Sequence, residues 1–265
     1  MKIVTSYTNL NEGCAFVPTM GALHAGHASL FNLARTQSQT VVASIFINPL
    51  QFDSSEDLAR YPRTPDRDIE IAEAAGVTHL WLPRQADIYP GEIKKLSAGS
   101  LGDIYEGKSR PGHFDGVVTV VSRFFDLVRP KYAIFGEKDF QQLTLIKRFK
   151  ADVEIITAPT IREPDGLAIS SRNVGLNESN RTTALVLYRA LLAAKSSGDL
   201  AQARANMQDI CSLESTFKLD YAEIVDESDF SIATDTTHSK RAIIAGWLNG
   251  VRLIDNMQMS IGASV

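Results

Sequence analysis

The sequence predicts an α/β fold in which a doubly wound, Rossmann-like parallel sheet precedes a smaller C-terminal α+β domain. Over the first two-thirds of the chain, short runs rich in β-branched residues alternate with helical patterns. One run, at 40–48, is almost continuously apolar, which is typical of a parallel strand covered on both faces. Near residue 175 the alternation gives way to two long helical patterns and then three strands. We therefore predict domains over 1–174 and 175–265.

The elements of the first domain follow from local signals. We predict strands at 15–18, 40–48, 78–82, 132–135 and 153–157, and helices at 28–37, 65–75, 117–128 and 141–149. The helix at 65–75 has the clearest start, because Thr64 is a candidate N-cap, Pro65 occupies the first position and acidic residues follow in the first turn. Residues 115–121 suit a strand that pairs with a neighbour as well as they suit a helix.

The second domain has a different pattern. We predict helices at 181–196 and 201–217 and strands at 219–226, 241–248 and 251–256. Asn249 and Gly250 form a two-residue hairpin turn between the last two strands. A lid over the first domain is one interpretation of this domain.

Composition bounds the class of protein. The chain has 265 residues, 44% of them hydrophobic and 22% charged, which is typical of a globular protein. Its net charge of −4 argues against a general nucleic-acid surface, although a local basic pocket for an anionic small molecule is compatible with it. The two cysteines, Cys14 and Cys211, lack metal-ligand spacing and are interpreted as buried thiols. No signal peptide or membrane span is recognisable, so we expect a cytoplasmic protein without membrane or nucleic-acid partners.

The most informative motif is His24-Ala25-Gly26-His27, which lies where a strand gives way to a helix. Such a junction presents backbone N–H groups and a positive helix dipole to a phosphate. A proton-donating imidazole there would neutralise charge that develops on a polyphosphate. The alternative is that one histidine caps the helix and the other is solvated.

Two further segments place cationic groups after strands. Gly136-Glu137-Lys138-Asp139 follows the strand at 132–135, where ligands bind in open α/β sheets. Lys138 is a candidate phosphate contact, and a solvated charged turn is the alternative. Ser170-Ser171-Arg172 combines two hydroxyls with a guanidinium, which suits a polyphosphate. Here the alternative is a capping serine pair beside a surface arginine.

Amide side chains are the candidates for recognising a small polar substrate. An apolar strand ends at Asn48-Pro49, and Gln51 follows between Leu50 and Phe52. Gln142, one turn into the helix after Lys138, is a second candidate. The segments 61–63 and 106–114 are interpreted as mobile loops of basic character, and the latter either closes over a site or is an exposed turn.

Taken together, these segments resemble the pantothenate synthetases (pantoate–β-alanine ligases), which belong to the nucleotidyltransferase superfamily that carries the HIGH motif. The matching pieces are PTMGALHAGH at 18–27, SIFINPLQF at 44–52, YPRTPD at 61–66, RPGHFDGVVTVV at 110–121, FGEKDFQQL at 135–143, DGLAISSRN at 165–173 and WLNGVRLIDNM at 247–257. The resemblance spans nearly the whole chain, in order.

The resemblance implies that pantoate attacks Mg-ATP to give pantoyl adenylate and pyrophosphate, and that β-alanine then displaces AMP to give pantothenate. It also implies catalytic roles for His27, as proton donor, and for His24, Lys138 and Arg172. The implied ATP-binding residues are Pro18, Thr19, Met20, Gly21, Ala22, Leu23, His24, Ala25, Gly26, His27, Gly136, Glu137, Lys138, Asp139, Ile161, Ile169, Ser170, Ser171 and Arg172. Asn48, Gln51 and Gln142 are the implied substrate-binding residues, and a homodimer is the expected assembly.

The chain departs from the family pattern at several positions. Ala25 stands where an acidic residue is common, and Ile169 stands where Met is common. Arg67 interrupts an acidic cluster between Asp66 and Asp68, so we assign no protein ligand to Mg²⁺ and expect the ATP phosphates to hold it. The alternatives are another HIGH-type adenylyltransferase that acts on a cofactor precursor, and a non-catalytic nucleotide-binding protein.

Overall fold

The computed structural model describes residues 1–10, 12–149 and 152–261, except for the side chain of Asn9. The chain forms two compact units, Met1–Glu137 with Gln142–Thr160, and Lys138–Gln141 with Ile161–Val265. This grouping differs from the predicted domains at residues 138–141 and 161–174, which belong to the second unit. For 161–174 the reason is local, because Arg162 forms an ion pair with Asp255 at 2.6 Å within that unit. No helix of the described residues has the length and apolarity needed to cross a membrane.

The first unit contains the predicted parallel sheet. Its strands are β1 (Lys2–Val4), β2 (Ala15–Thr19), β3 (Val41–Ile45), β4 (His79–Trp81), β5 (Tyr132–Gly136) and β6 (Glu154–Ala158), all paired in parallel. The helices are α1 (Ala25–Gln37), α2 (Ser55–Arg60), α3 (Pro65–Ala74), α4 (Gln85–Ile88), α5 (Glu106–Ser109), α6 (His113–Val128) and α7 (Phe140–Phe149). The α/β class is confirmed, although β1 was absent from the prediction.

The strand order places a crevice beside β2. The order is β1-β4-β3-β2-β5-β6, so the direction in which strands are added reverses at β2. β2 pairs with β3 as far as Thr19 and Ile45, but it pairs with β5 only at Ala15 and Phe16. Because β2 and β5 no longer pair towards their carboxyl ends, the sheet opens there, at the topological switch point where doubly wound proteins bind ligands.

Residues 115–121 belong to a helix, α6, which resolves the ambiguity in favour of the helical alternative. Their β-branched side chains are buried, among them Val117, Val118 and Val121. Packing therefore outweighs the modest helix penalty of β-branched residues. Farther along α6, Phe124 makes edge contacts with Phe16 at 5.5 Å between ring centroids.

The described residues of the second unit form a three-stranded antiparallel sheet and three helices. These are α8 (Glu178–Ala184), α9 (Val186–Lys195), α10 (Leu200–Ser212), β7 (Phe217–Asp226), β8 (Lys240–Leu248) and β9 (Val251–Met259). The single helix predicted at 181–196 was wrong, because the chain breaks at Leu185 into α8 and α9. The helix predicted to end at 217 stops at Ser212, because Phe217 pairs with Leu248 in the sheet. The hairpin turn is confirmed by positive φ angles of 48° at Asn249 and 80° at Gly250.

Candidate functional site

The loop between β2 and α1 turns through two left-handed residues. Gly21 has φ of 80° and Ala22 has φ of 50°. At Gly21 a side chain would be excluded on steric grounds as well, because an added Cβ would lie 2.9 Å from the Asp68 carboxylate. The turn brings the chain to His24, which is the N-cap of α1.

The two histidines share a defined pattern of hydrogen bonds. The Gly26 N–H donates to His24 Nδ1 at 3.1 Å, and the His24 N–H donates to His27 Nδ1 at 3.3 Å. A backbone N–H only donates, so both Nδ1 atoms accept, and each neutral imidazole carries its proton on Nε2. The ring centroids lie 4.1 Å apart. The capping role considered for one histidine is therefore present, and it leaves Nε2–H as the donor of both rings.

A buried carboxylate holds this loop. Asp68, on α3, is 2% exposed and accepts from the N–H groups of Ala22 at 3.0 Å and Leu23 at 2.7 Å. It also accepts from the Thr64 hydroxyl at 2.9 Å. Thr64 is the N-cap of α3, as predicted, although its hydroxyl donates to this carboxylate and makes no capping hydrogen bond with the helix. Asp68 and the loop line a largely apolar cavity of about 460 Å³.

Several backbone N–H groups of this loop donate to acceptors within the protein. The N–H groups of Ala22 and Leu23 donate to Asp68, and those of His24 and Gly26 donate to imidazole nitrogens. The Gly21 N–H lies 3.3 Å from the Thr19 hydroxyl oxygen, to which it donates. The sequence predicted backbone N–H groups as the phosphate donors. These N–H groups have acceptors within the protein, so the imidazole Nε2–H groups are further candidate donors at the start of α1, and phosphate binding at this loop stays a prediction.

The loop after β3 positions Gln51. Asn48 begins a short 3₁₀ turn, and its Nδ2 donates to Gln51 Oε1 at 3.0 Å. The Gln51 carbonyl accepts from His113 Nδ1 at 2.8 Å and from Arg110 Nη2 at 3.1 Å. Gly116 permits this approach, because a Cβ there would lie 2.3 Å from the Leu50 carbonyl oxygen. Both the backbone and the side chain of Gln51 are therefore held.

The segment 106–114 is not the mobile loop or exposed turn that the sequence predicted. It contains α5 and the start of α6, and Arg110 is only 5% exposed. The Arg110 Nε donates to Asp53 at 3.0 Å, in addition to the bond from Nη2 to the Gln51 carbonyl. Arg110 is therefore buried because it is paired, and it ties residues 51–53 to α6.

The second unit assembles the cationic motifs. Lys138, Ser170 and Arg172 line a common small cavity that also includes Asp255. Lys138 Nζ lies 3.4 Å from the Asp139 carboxylate. Ser170 caps the turn Ser171–Gly175, with its hydroxyl accepting from the Arg172 N–H at 3.3 Å. The capping role considered for the serine pair is therefore present at Ser170, and it holds the backbone of Arg172 next to Ser170.

Two further predicted ATP contacts are adjacent in the second unit. The Ile169 N–H donates to the Ile161 carbonyl at 3.0 Å, because the chain reverses at the predicted turn 164–166. Asp165 in this turn forms an ion pair with Arg181, and that hydrogen bond holds the pKa of the Asp165 carboxyl below its usual value. The turn thereby joins the segment of Ile169 to α8.

Comparisons with known proteins identify the same family over nearly the whole chain. A family model described as pantoate-β-alanine ligase matches residues 1–258. A pantothenate synthetase of Acidothermus cellulolyticus is 48% identical over 257 residues, which cover 92% of this chain and 85% of that protein. One from Thermus thermophilus is 45% identical over 258 residues, which cover 94% of each chain.

Two solved structures of proteins with these names are similar to this chain. The crystal structure of pantothenate synthetase from Thermus thermophilus is similar with a TM-score of 0.93 and 43% identity, covering 97% of this chain and 99% of that chain. Pantoate-β-alanine ligase from Francisella tularensis, complexed with β-γ ATP and β-alanine, has a TM-score of 0.82 and 34% identity and covers both chains completely. The chain belongs to the pantoate–β-alanine ligase family. It is a ligase that forms pantothenate from pantoate and β-alanine.

Each unit holds part of the predicted site. The first unit contains 18–27, Asn48, Gln51, Gly136, Glu137 and Gln142, and the second contains Lys138, Asp139, Ile161 and 169–172. Within the first unit, His24 meets His27, and Asn48 meets Gln51. Gln142 is half-buried in the first turn of α7.

The sequence did not identify the residues that hold the predicted site residues and their loops in position. These are Asp68, Tyr89, Arg110 and His113, all of them buried. Asp68 had one usable signal, its place in the first turn of a helix next to a candidate site. Tyr89 had none, because its partner Asn48 is distant in the chain.

Proposed function

We propose that this ligase uses ATP to activate pantoate as an acyl adenylate before β-alanine attacks. A carboxylate oxygen of pantoate forms a bond to the α-phosphorus, and the bond from that phosphorus to the bridging oxygen breaks, releasing pyrophosphate. The amine of β-alanine then attacks the acyl carbon, AMP leaves, and the amine loses a proton. The Francisella relative, complexed with β-γ ATP and β-alanine, supports this choice of substrates.

The observation that carries the proposal is the tautomer of the two histidines. Because both Nδ1 atoms accept from the backbone, His24 and His27 present Nε2–H donors. His27 donates to the polyphosphate as negative charge develops on the leaving group, and His24 binds beside it. The reaction needs no covalent nucleophile, only charge stabilisation and in-line positioning.

The remaining predicted residues have roles that suit their chemistry. Lys138 and Arg172 supply positive charge to the phosphates, with Ser170 and Ser171 as hydroxyl donors. The rest of the ATP contacts are those named by the family motifs in 18–27, 136–139, Ile161 and Ile169. Gln51 binds pantoate and β-alanine, and Gln142 binds pantoate.

Magnesium enters as Mg-ATP in this proposal, with phosphate oxygens as its principal ligands. Asp68 is the buried carboxylate at the histidine loop, and its oxygens already accept from Ala22, Leu23 and Thr64. Among the described residues, no group of three or more His, Cys, Asp or Glu side chains is arranged to hold a metal ion.

A homodimer in the cytoplasm remains our prediction from the family resemblance. Light scattering on purified protein measures the assembly, and twice the mass of 29.0 kDa is the expected result. A single-chain mass would contradict it.

The experiment that tests the reaction follows pyrophosphate and AMP separately. With ATP and pantoate alone, pyrophosphate forms up to the amount of enzyme, and β-alanine then makes AMP and pantothenate accumulate. An adenylyltransferase for a cofactor precursor would keep AMP on its product. Pyrophosphate release without pantoate, or AMP release that does not depend on β-alanine, would contradict the proposal.

A further inference from the structure

We propose that Tyr89 is a positioning residue that acts through Asn48 to fix the side-chain amide of Gln51. In that orientation Gln51 meets its ligand with the NH₂ group. It therefore recognises an oxygen acceptor, such as the carboxylate or a hydroxyl of pantoate, and not the ammonium group of β-alanine. This inference rests on the proposed function and adds the hydrogen-bond polarity of one of its contacts.

Two backbone groups define how Asn48 is oriented. The Leu50 N–H can only donate, and it faces Asn48 Oδ1 at 3.3 Å. The Gly116 carbonyl can only accept, and it faces Asn48 Nδ2 at 3.0 Å. Exchanging the oxygen and nitrogen of the amide would turn both bonds into repulsive contacts. The orientation of Asn48 is thus determined by groups whose roles are invariant.

Tyr89 supplies the remaining partner of Asn48. Its hydroxyl donates to Asn48 Oδ1 at 2.9 Å, and the residue is 8% exposed. Burial raises the pKa of the Tyr89 hydroxyl, so it stays protonated and remains a donor. The ring packs edge-on against Phe46, with centroids 6.2 Å apart. Tyr89 therefore reinforces the orientation that the backbone selects.

The orientation passes from Asn48 to Gln51. Asn48 Nδ2 donates both to the Gly116 carbonyl and to Gln51 at 3.0 Å, so the Gln51 atom it faces is the acceptor Oε1. The Gln51 backbone carbonyl is held separately by Arg110 and His113. Because Asn48 holds Oε1 on its own side of the Gln51 amide, the NH₂ group is the end left to face a ligand, and an NH₂ group only donates.

The hydrogen bonds of the Asn48 side chain also define its role. Its two N–H groups and both lone pairs of Oδ1 are taken by Gln51, Gly116, Leu50 and Tyr89. Asn48 is 1% exposed. We therefore assign it the positioning of Gln51 in place of the substrate contact that the sequence implied.

The polarity of Gln51 is tested by Gln51→Glu against Gln51→Leu. Glutamate can still accept from Asn48 but replaces the NH₂ donor with an anionic oxygen. If Gln51 donates to pantoate, kcat/KM for pantoate is lower in Gln51→Glu than in Gln51→Leu. A glutamate variant that outperforms the leucine variant, with a lower KM for β-alanine, would show that the site binds an ammonium group and would overturn the inference.

The Tyr89 relay is tested by Tyr89→Phe, which keeps the ring and removes the hydroxyl. Loss of one neutral hydrogen bond predicts a rise of about 2- to 12-fold in KM for pantoate. KM for ATP stays unchanged, which separates positioning from general destabilisation. The exposed Tyr7 provides the control variant Tyr7→Phe, in which KM for pantoate does not change. Equal KM values for pantoate in both variants would contradict the relay.

A readout without turnover separates this inference from the proposed function. In ¹⁵N-edited NMR spectra, Tyr89→Phe shifts the side-chain amide signals of both Asn48 and Gln51, whereas Tyr7→Phe shifts neither. Unmoved Gln51 signals would overturn the relay even if the enzyme makes pantothenate. Failure of the wild-type chain to release pyrophosphate with pantoate would instead count against the proposed function.

Discussion

The loops that follow β2 and β3 leave neighbouring strands, and they are held in opposite ways. After β2, a buried carboxylate, Asp68, accepts from backbone N–H groups. After β3, a buried guanidinium, Arg110, donates to the backbone carbonyl of Gln51. In the site that we propose, each arrangement positions a side-chain donor toward the ligand, the imidazole Nε2–H in one loop and the Gln51 NH₂ in the other. The anionic clamp, Asp68, and the cationic clamp, Arg110, can therefore both support hydrogen-bond donors, which suit anionic substrates.

The largest effect is expected from removing the anionic clamp. Asp68→Ala leaves two buried N–H groups and one hydroxyl without their acceptor, which lowers the free energy of unfolding by about 4 kcal/mol. Denaturant unfolding measures it, with the exposed Asp66→Ala on the same helix as control. If Asp68→Ala does not fold, Asp68→Asn, which retains one oxygen acceptor, shows a smaller loss. A stability equal to that of Asp66→Ala would mean that Asp68 does not hold the loop.

The next effect concerns the donor that this clamp positions. His27→Ala lowers pantoate-dependent pyrophosphate release by about 10²-fold or more, in the range of lost acid or electrostatic catalysis. His27→Gln, whose Nε2 can replace the imidazole N–H donor, retains more activity than His27→Ala. The exposed His238→Ala serves as control. Near wild-type release by His27→Ala would refute the catalytic role.

The cationic clamp is expected to matter less to stability than the anionic one. Arg110→Lys keeps the charge but loses the planar fork that binds Asp53 and Gln51 together. We expect a loss of about 2 kcal/mol in unfolding free energy and a higher KM for pantoate. The exposed Arg60→Lys is the matched control. If the two variants have the same KM for pantoate, Arg110 does not position Gln51.

The smallest effect is expected from removing the Thr64 hydroxyl, which donates to the anionic clamp. Thr64→Val removes one hydroxyl bond to Asp68 at constant shape and lowers unfolding free energy by about 1 kcal/mol. Thr64→Ser, which keeps the hydroxyl, is expected to lose less. Equal stability of the two variants would show that the Thr64 hydroxyl contributes nothing to holding Asp68.

The fold class and several individual elements were predictable from the sequence, because periodicity and turn signals are local. The apolar run that forms β3 and the Asn249-Gly250 hairpin are examples. Helix limits were harder where tertiary pairing decides them, as where Phe217 joins β7 in place of extending α10. The position of His24 at the start of α1 was likewise a local signal.

The clamps were not predictable, because each joins residues distant in the chain. Asp68 holds Ala22, and Arg110 holds Gln51, through contacts that no local pattern encodes. The basic character of 106–114 suggested an exposed loop, since isolated arginines are usually solvated. Its pairing with Asp53 and with the Gln51 carbonyl allows Arg110 to be buried.

The most direct test of the proposed reaction follows the carboxylate oxygens of pantoate. If pantoate attacks the α-phosphorus of ATP, pantoate labelled with ¹⁸O in its carboxylate transfers one ¹⁸O to AMP during pantothenate formation. Mass spectrometry of AMP and pyrophosphate measures this transfer. Our account predicts the label in AMP and none in pyrophosphate. Unlabelled AMP, or label in pyrophosphate, would contradict activation of pantoate as an adenylate.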